Sequence, residues 1–226
     1  MLGLLTALAL AASPAATPPR LVDAAARLPD ARLDVRYATA DNFTGRPLYP
    51  VARCLLLAPV AERLVRAAAR LRAQGYRLVL HDCYRPLSVQ RALWAAMPRV
   101  GYVADPRTGS HHNRGAAVDV ALDDAAGGPV ELPTAYDAFG PRARAGAVEG
   151  VSAAARRHRG ALRAAMEAEG FRVNPAEWWH YDAPEAARAP LLDVPLLEVP
   201  RADGPPAAIH RQEAPPADAA APGSPP

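Results

Sequence analysis

A stretch with helical periodicity runs straight into a strand-type stretch, and this junction most constrains the fold. Val60, Leu64, Ala67, Ala68 and Leu71 recur at helical spacing and place one apolar face on an amphipathic helix that ends near Gly75. Tyr76 to His81 follows at once as a short β-type run. Pro86 and Ser88 then open a second helix carrying Val89, Leu93 and Met97, which Pro98 stops. Gly101 to Gly109 reads as a loop, Ala116 to Leu122 as a weakly alternating strand, and Gly127-Gly128-Pro129 as a turn. Ser152 caps a third helix with Leu162, Ala165 and Met166 inward and Gly170 at its end. Strands follow near Phe171 to Val173 and Trp178 to Tyr181. Helices and strands mix without regular βαβ alternation. The expectation is a single α+β domain, a central and mainly antiparallel sheet flanked by helices.

The chain of 226 residues is long enough for one domain with a full core and too short for two large ones. Residues 1–20 read as a signal peptide and linker. An apolar run from Leu2 to Ala12 precedes small residues suited to cleavage, although no basic residue comes before it. The run is too short to span a bilayer as a stable helix. The expectation is export to the periplasm with no membrane span in the mature protein; without cleavage the chain would stay cytoplasmic. Residues 201–226 are Pro/Ala-rich without periodicity and are expected to be disordered. The folded domain is thus expected over residues 21–200.

Every basic residue is Arg, the net charge is only +3, and the Arg residues are interleaved with acids. No basic face for nucleic acid is legible. Two cysteines, Cys54 and Cys83, would pair in an exported protein or stay as buried thiols in a reducing compartment.

Two segments carry chemistry: Gly109-Ser110-His111-His112-Asn113-Arg114-Gly115, leading to Asp119, and Glu177-Trp178-Trp179-His180. They offer two imidazoles and a carboxylate, the donors zinc favours, with a Glu beside the last of them. A catalytic zinc site uses three protein ligands and leaves a position for water, whose proton a carboxylate can take. Spacing alone leaves this open. No helical His-Glu-x-x-His is present, and His112 or Asp119 taken singly is as readily a hydrogen-bonded surface or turn residue. Trp178 and Trp179 are core candidates.

Further motifs give these segments a context: Arg36-Tyr37-Ala38-Thr39, Asn42-Phe43-Thr44-Gly45 and Asp82-Cys83-Tyr84-Arg85-Pro86. Together and in this order, from about Leu33 to Pro184, they resemble the zinc D-alanyl-D-alanine dipeptidases of vancomycin resistance and cell-wall recycling. The resemblance implies one zinc per chain on His112, Asp119 and His180. It implies Glu177 as general base and acid, and Arg85 as the stabiliser of the developing oxyanion. It further implies Asp137 as partner of the substrate's free amine, Ser110 at its carboxylate and Tyr37 in the pocket lining. His111 has no assigned ligand role. A Cys54–Cys83 bridge would tie the first helix to the segment carrying Arg85.

The activity so implied is hydrolysis of a small dipeptide in cell-wall peptide turnover. One rival keeps the metal site but cuts intact peptidoglycan stems, as a D,D-carboxypeptidase or endopeptidase. Another keeps only the fold and binds without chemistry. The oligomeric state and the physiological role are not written in these residues.

Overall fold

The computed structural model describes residues 20–201. The expected signal segment and Pro/Ala-rich tail lie outside the described residues, apart from Arg20 and Arg201 at their edges. In chain order the elements are β1 (Leu21–Asp23), β2 (Arg32–Leu33), β3 (Leu55–Leu57), α1 (Ala58–Arg72), β4 (Tyr76–Asp82), α2 (Leu87–Ala96), β5 (Ala117–Asp124), α3 (Ala153–Ala168), β6 (Arg172–Asn174) and β7 (Glu177–Asp182). Short 3-10 turns join several of them.

The main sheet has the order β2-β4-β5-β7-β6. Only the β2–β4 pair is parallel; β4–β5, β5–β7 and β6–β7 are antiparallel. β1 and β3 form a separate antiparallel pair. The architecture is the α+β domain that the mixture of periods implied.

The helices follow the local signals. α1 has Pro59 in its first turn, where a missing N–H costs nothing, and buries Val60, Leu64, Ala67, Ala68 and Leu71. α3 starts at Ser152, whose hydroxyl accepts from the Ala155 N–H at 3.0 Å, and buries Leu162, Ala165 and Met166. α2 stops at Ala96, one residue before the expected end, and Met97 sits half-buried beyond it. α1 and α3 pack together, and Arg66 and Arg70 of α1 each grip Glu169 at 2.6 Å at the end of α3.

β5 shows why its sequence alternates only weakly. It lies between β4 and β7, and Ala117 through Asp123 are all buried, so neither face needs polar side chains. Its register decides which polar side chains meet. Asp119 pairs with His180 of β7 and with Asp82 of β4, while an irregularity at His81 shifts the β4 register just before that point. Directly opposed residues bring their side chains to one face, about 5 Å apart at Cβ.

β1, β2 and β3 were not legible. They span two or three residues each, and Leu55-Leu56-Leu57 is a uniformly buried run with no alternation to read. Near the end of the domain, buried Arg53 donates to the carbonyls of Leu196 at 2.8 Å and Val199 at 2.7 Å, fastening the segment after β7. Among the described residues no helix is long and apolar enough to cross a membrane.

Candidate metal centre

Ser110 opens a 3-10 turn over His111–Arg114; its hydroxyl accepts from the His112 N–H at 3.3 Å, and the Asn113 side chain accepts from the Ser110 N–H at 2.7 Å. Gly115 closes the turn at φ +63. A side chain there would be strained and would also meet Leu21 Cδ2 at 2.6 Å, so glycine is required. The turn drops His112 beside the paired Asp119 and His180.

The three side chains converge. His112 Nε2 lies 3.2 Å from Asp119 Oδ1 and 3.1 Å from His180 Nδ1, and His180 Nδ1 lies 3.0 Å from Asp119 Oδ1. The outer atoms are all engaged. His112 Nδ1 is 2.7 Å from the Cys83 carbonyl, which can only accept, so Nδ1 carries the proton. His180 Nε2 donates to Asp182 Oδ1 at 2.9 Å. Asp119 Oδ2 accepts from Tyr136 OH at 2.9 Å. Two imidazole lone pairs and one carboxylate oxygen therefore face one point, and each ring has the outer hydrogen bond typical of a metal-bound histidine.

Electrostatics agree with a cation at that point. Burial opposes charge on the His180 ring, yet Asp119 and Asp182 outweigh it and raise its pKa well above the ordinary histidine value. Burial likewise opposes charge on Asp119, and His112 and His180 outweigh it and hold the carboxyl well below its usual range. The donor set suits zinc, which takes nitrogen and oxygen ligands at about 2.0–2.2 Å.

A cleft of about 390 Å³ opens over the three donors. Tyr37, Arg85, Ser110, His112, Asp119, Asp137, Glu177 and His180 all line it, so every site residue expected from the sequence meets in one place. Glu177 Oε2 is 3.8 Å from His180 Nδ1 and accepts from the Asn174 side chain at 3.1 Å. Burial raises the Glu177 carboxyl above its ordinary value. Arg85 is buried; its Nε and Nη2 donate to Asp82 Oδ2 at 3.0 and 2.6 Å, and its Nη1 donates to Gln90 at 2.8 Å. Asp137 has φ +57, a left-handed conformation uncommon outside glycine, and accepts from Tyr37 OH at 2.9 Å. Burial first, and the charge of Asp119 second, push its carboxyl up to about 7.

Several residues escaped the sequence reading. Asp182 was detectable, since it lies two places beyond His180 on the same strand and so on the same face. Asp82 stands in the motif around Arg85 but was given no role, while Gln90, Tyr136 and Asn174 meet the site only through the fold. His111 stays outside the donor cluster, half-exposed, with Nδ1 at 2.7 Å from Asp182. Trp178 and Trp179 are both buried, and Trp179 also lines the cleft.

Cys54 and Cys83 are joined. The bridge bears on the centre because the Cys83 carbonyl holds His112 and its N–H donates to Asp82 at 2.9 Å. Cys54→Ser is expected to lower stability by about 3–4 kcal/mol in the chain-entropy account, read as a lower urea midpoint under oxidising conditions. An unchanged midpoint would refute this.

Comparisons with known proteins fit the geometry. A family model described as peptidase M15, D-Ala-D-Ala dipeptidase, matches residues 18–201. A protein of Escherichia coli (strain K12) named D-alanyl-D-alanine dipeptidase is 40% identical over 172 residues, covering 76% of this chain and 89% of that protein. A protein of the same name from Enterococcus faecium is 35% identical over 174 residues, 66% of this chain and 84% of its own length. Another from Streptomyces coelicolor is 35% identical over 183 residues, 68% of this chain and 86% of its own.

Proposed function

Because the chain belongs to the peptidase M15 family of D-Ala-D-Ala dipeptidases, we propose that it hydrolyses the free D-alanyl-D-alanine dipeptide to two molecules of D-alanine. One observation carries the reading. Four carboxylates line the cleft; Asp105 is paired with Arg107, which leaves Asp119, Asp137 and Glu177, while Arg85, the single Arg among the described residues lining it, is already paired with Asp82. A divalent metal and one substrate ammonium would offset that charge.

His112, Asp119 and His180 would hold the zinc. Bound there, zinc supplies Lewis acidity and brings the pKa of its water to about 7. Glu177 accepts the proton of the attacking water and returns it to the leaving amine nitrogen as the peptide bond breaks. Arg85 has guanidinium N–H groups left over from Asp82 and Gln90, and it stabilises the negative oxygen that forms. Its orientation is fixed beforehand by those two partners, so no reorganisation is needed during the reaction. Asp137, held by Tyr37, receives the substrate's free ammonium, and Ser110 lies at the carboxylate end.

A site built around a free amine rejects an acylated one, because capping the amine removes the ammonium and leaves the Asp137 charge unpaired. D-Ala-D-Ala is therefore expected to be cleaved at least 100-fold more efficiently than its N-acetyl form in direct competition. Equal kcat/KM on both would instead support an enzyme of intact stem peptides.

A further inference from the structure

The Tyr136 phenol touches the metal centre without belonging to either the donor set or the catalytic groups named above. Its hydroxyl donates to Asp119 Oδ2 at 2.9 Å, the oxygen turned away from the histidines. Its ring stacks on His81 at 4.5 Å between centroids, with an interplanar angle of 17°, and meets Trp179 edge-on at 5.6 Å. A carboxylate oxygen only accepts, so the phenol O–H is the donor in this contact.

Tyr136 also immediately precedes Asp137. The short segment carrying both is fastened at its start, where Trp178 Nε1 donates to Thr134 Oγ1 at 2.9 Å. It is fastened again beyond them, where Phe139 packs edge-on against Tyr102 at 4.9 Å. Between those anchors the backbone takes the left-handed turn at Asp137.

A carboxylate can offer a metal one oxygen or two. With a lone pair of Oδ2 engaged by the phenol O–H, Oδ1 is the Asp119 oxygen held toward the histidines. We propose that Tyr136 is a positioning residue which confines Asp119 to one-oxygen ligation and ties the segment bearing Asp137 to the metal centre. This rests on the metallopeptidase reading above. It predicts that one hydroxyl governs both metal affinity and the placement of the amine-binding carboxylate.

The test is Tyr136→Phe, which deletes one oxygen and leaves the ring contacts with His81 and Trp179 available. Zinc affinity is measured by chelator competition, coordination by the visible spectrum of the cobalt(II)-substituted protein, and KM with D-Ala-D-Ala. The expected result is zinc binding weaker by about 10–100-fold, lower cobalt band intensity as the second carboxylate oxygen joins, and a raised KM. Tyr37→Phe, which frees Asp137 alone, should raise KM and leave zinc affinity and the cobalt spectrum at wild-type values. Wild-type zinc affinity and spectrum in Tyr136→Phe would overturn the proposal.

A donor at the same place should rescue. p-Aminophenylalanine at position 136 is expected to restore zinc affinity to within a few-fold of wild type. Loss persisting with that donor present would also overturn the proposal, since ring packing would then be the cause; this arm decides the matter even if the Phe variant folds poorly. Failure of the wild-type protein to bind zinc or cobalt at one per chain would instead refute the metallopeptidase reading itself.

Discussion

Glu177→Gln is expected to lower kcat on D-Ala-D-Ala by about 10²–10⁴-fold while the protein still binds one zinc per chain. Glutamine has nearly the same shape and can keep a hydrogen bond to Asn174, whose side-chain nitrogen lies 3.1 Å from Oε2. It cannot accept a proton. Glu177 stands 3.8 Å from His180 Nδ1 and outside the cluster of three donors, so its loss leaves the ligands untouched. Burial lifts its carboxyl above the ordinary value, which suits a group that must take a proton and then give it up. Steady-state kinetics with metal analysis of the same sample check both halves. Turnover within tenfold of wild type would place the base elsewhere.

Arg85→Lys is expected to reduce kcat/KM by about 10²–10³-fold, the usual consequence of losing a preorganised oxyanion donor. The substitution keeps a positive charge but replaces a planar fork with a single ammonium. Nε and Nη2 both reach Asp82, and Nη1 reaches Gln90; an ammonium cannot hold these partners and present a donor to the cleft together. Arg85→Ala adds a folding cost. Asp82 is fully buried and would keep only Tyr49 OH at 2.7 Å and the Cys83 N–H at 2.9 Å. Breaking a buried pair in this way costs about 3–5 kcal/mol. Denaturant unfolding and kinetics separate the effects: Lys acts mainly on kcat/KM, whereas Ala also lowers the unfolding midpoint. A Lys variant with wild-type kcat/KM would remove Arg85 from the chemistry.

The helices were readable because apolar periodicity and a stop signal agree within each of them, although only α3 has a side-chain cap. Ser152 and the inward Leu162, Ala165 and Met166 define α3 locally, and the structure keeps them. β5 was readable in place though faint in pattern, because both of its faces are covered. β1 and β2 carry too few residues for any period, so only their partners define them.

The residues that meet in the cleft were legible through motifs whose members lie close in sequence. The groups that orient them were not. Tyr136 meets Asp119 from a loop, and the Cys83 carbonyl holds His112 from 29 residues away. Such contacts depend on strand register and loop closure, which no local spacing encodes.

The pairing of Asp119 with His180 has a further consequence for assembly. The donors come from a turn, a central strand and a strand near the end of the domain, so the complete set exists only once β7 has docked on β5. A slip of one residue along that pair would turn His180 to the opposite face. With an ion bound as proposed, metal occupancy would be a register gauge: in a refolded preparation, the fraction of chains holding an ion would count the molecules whose last strands have zipped in step.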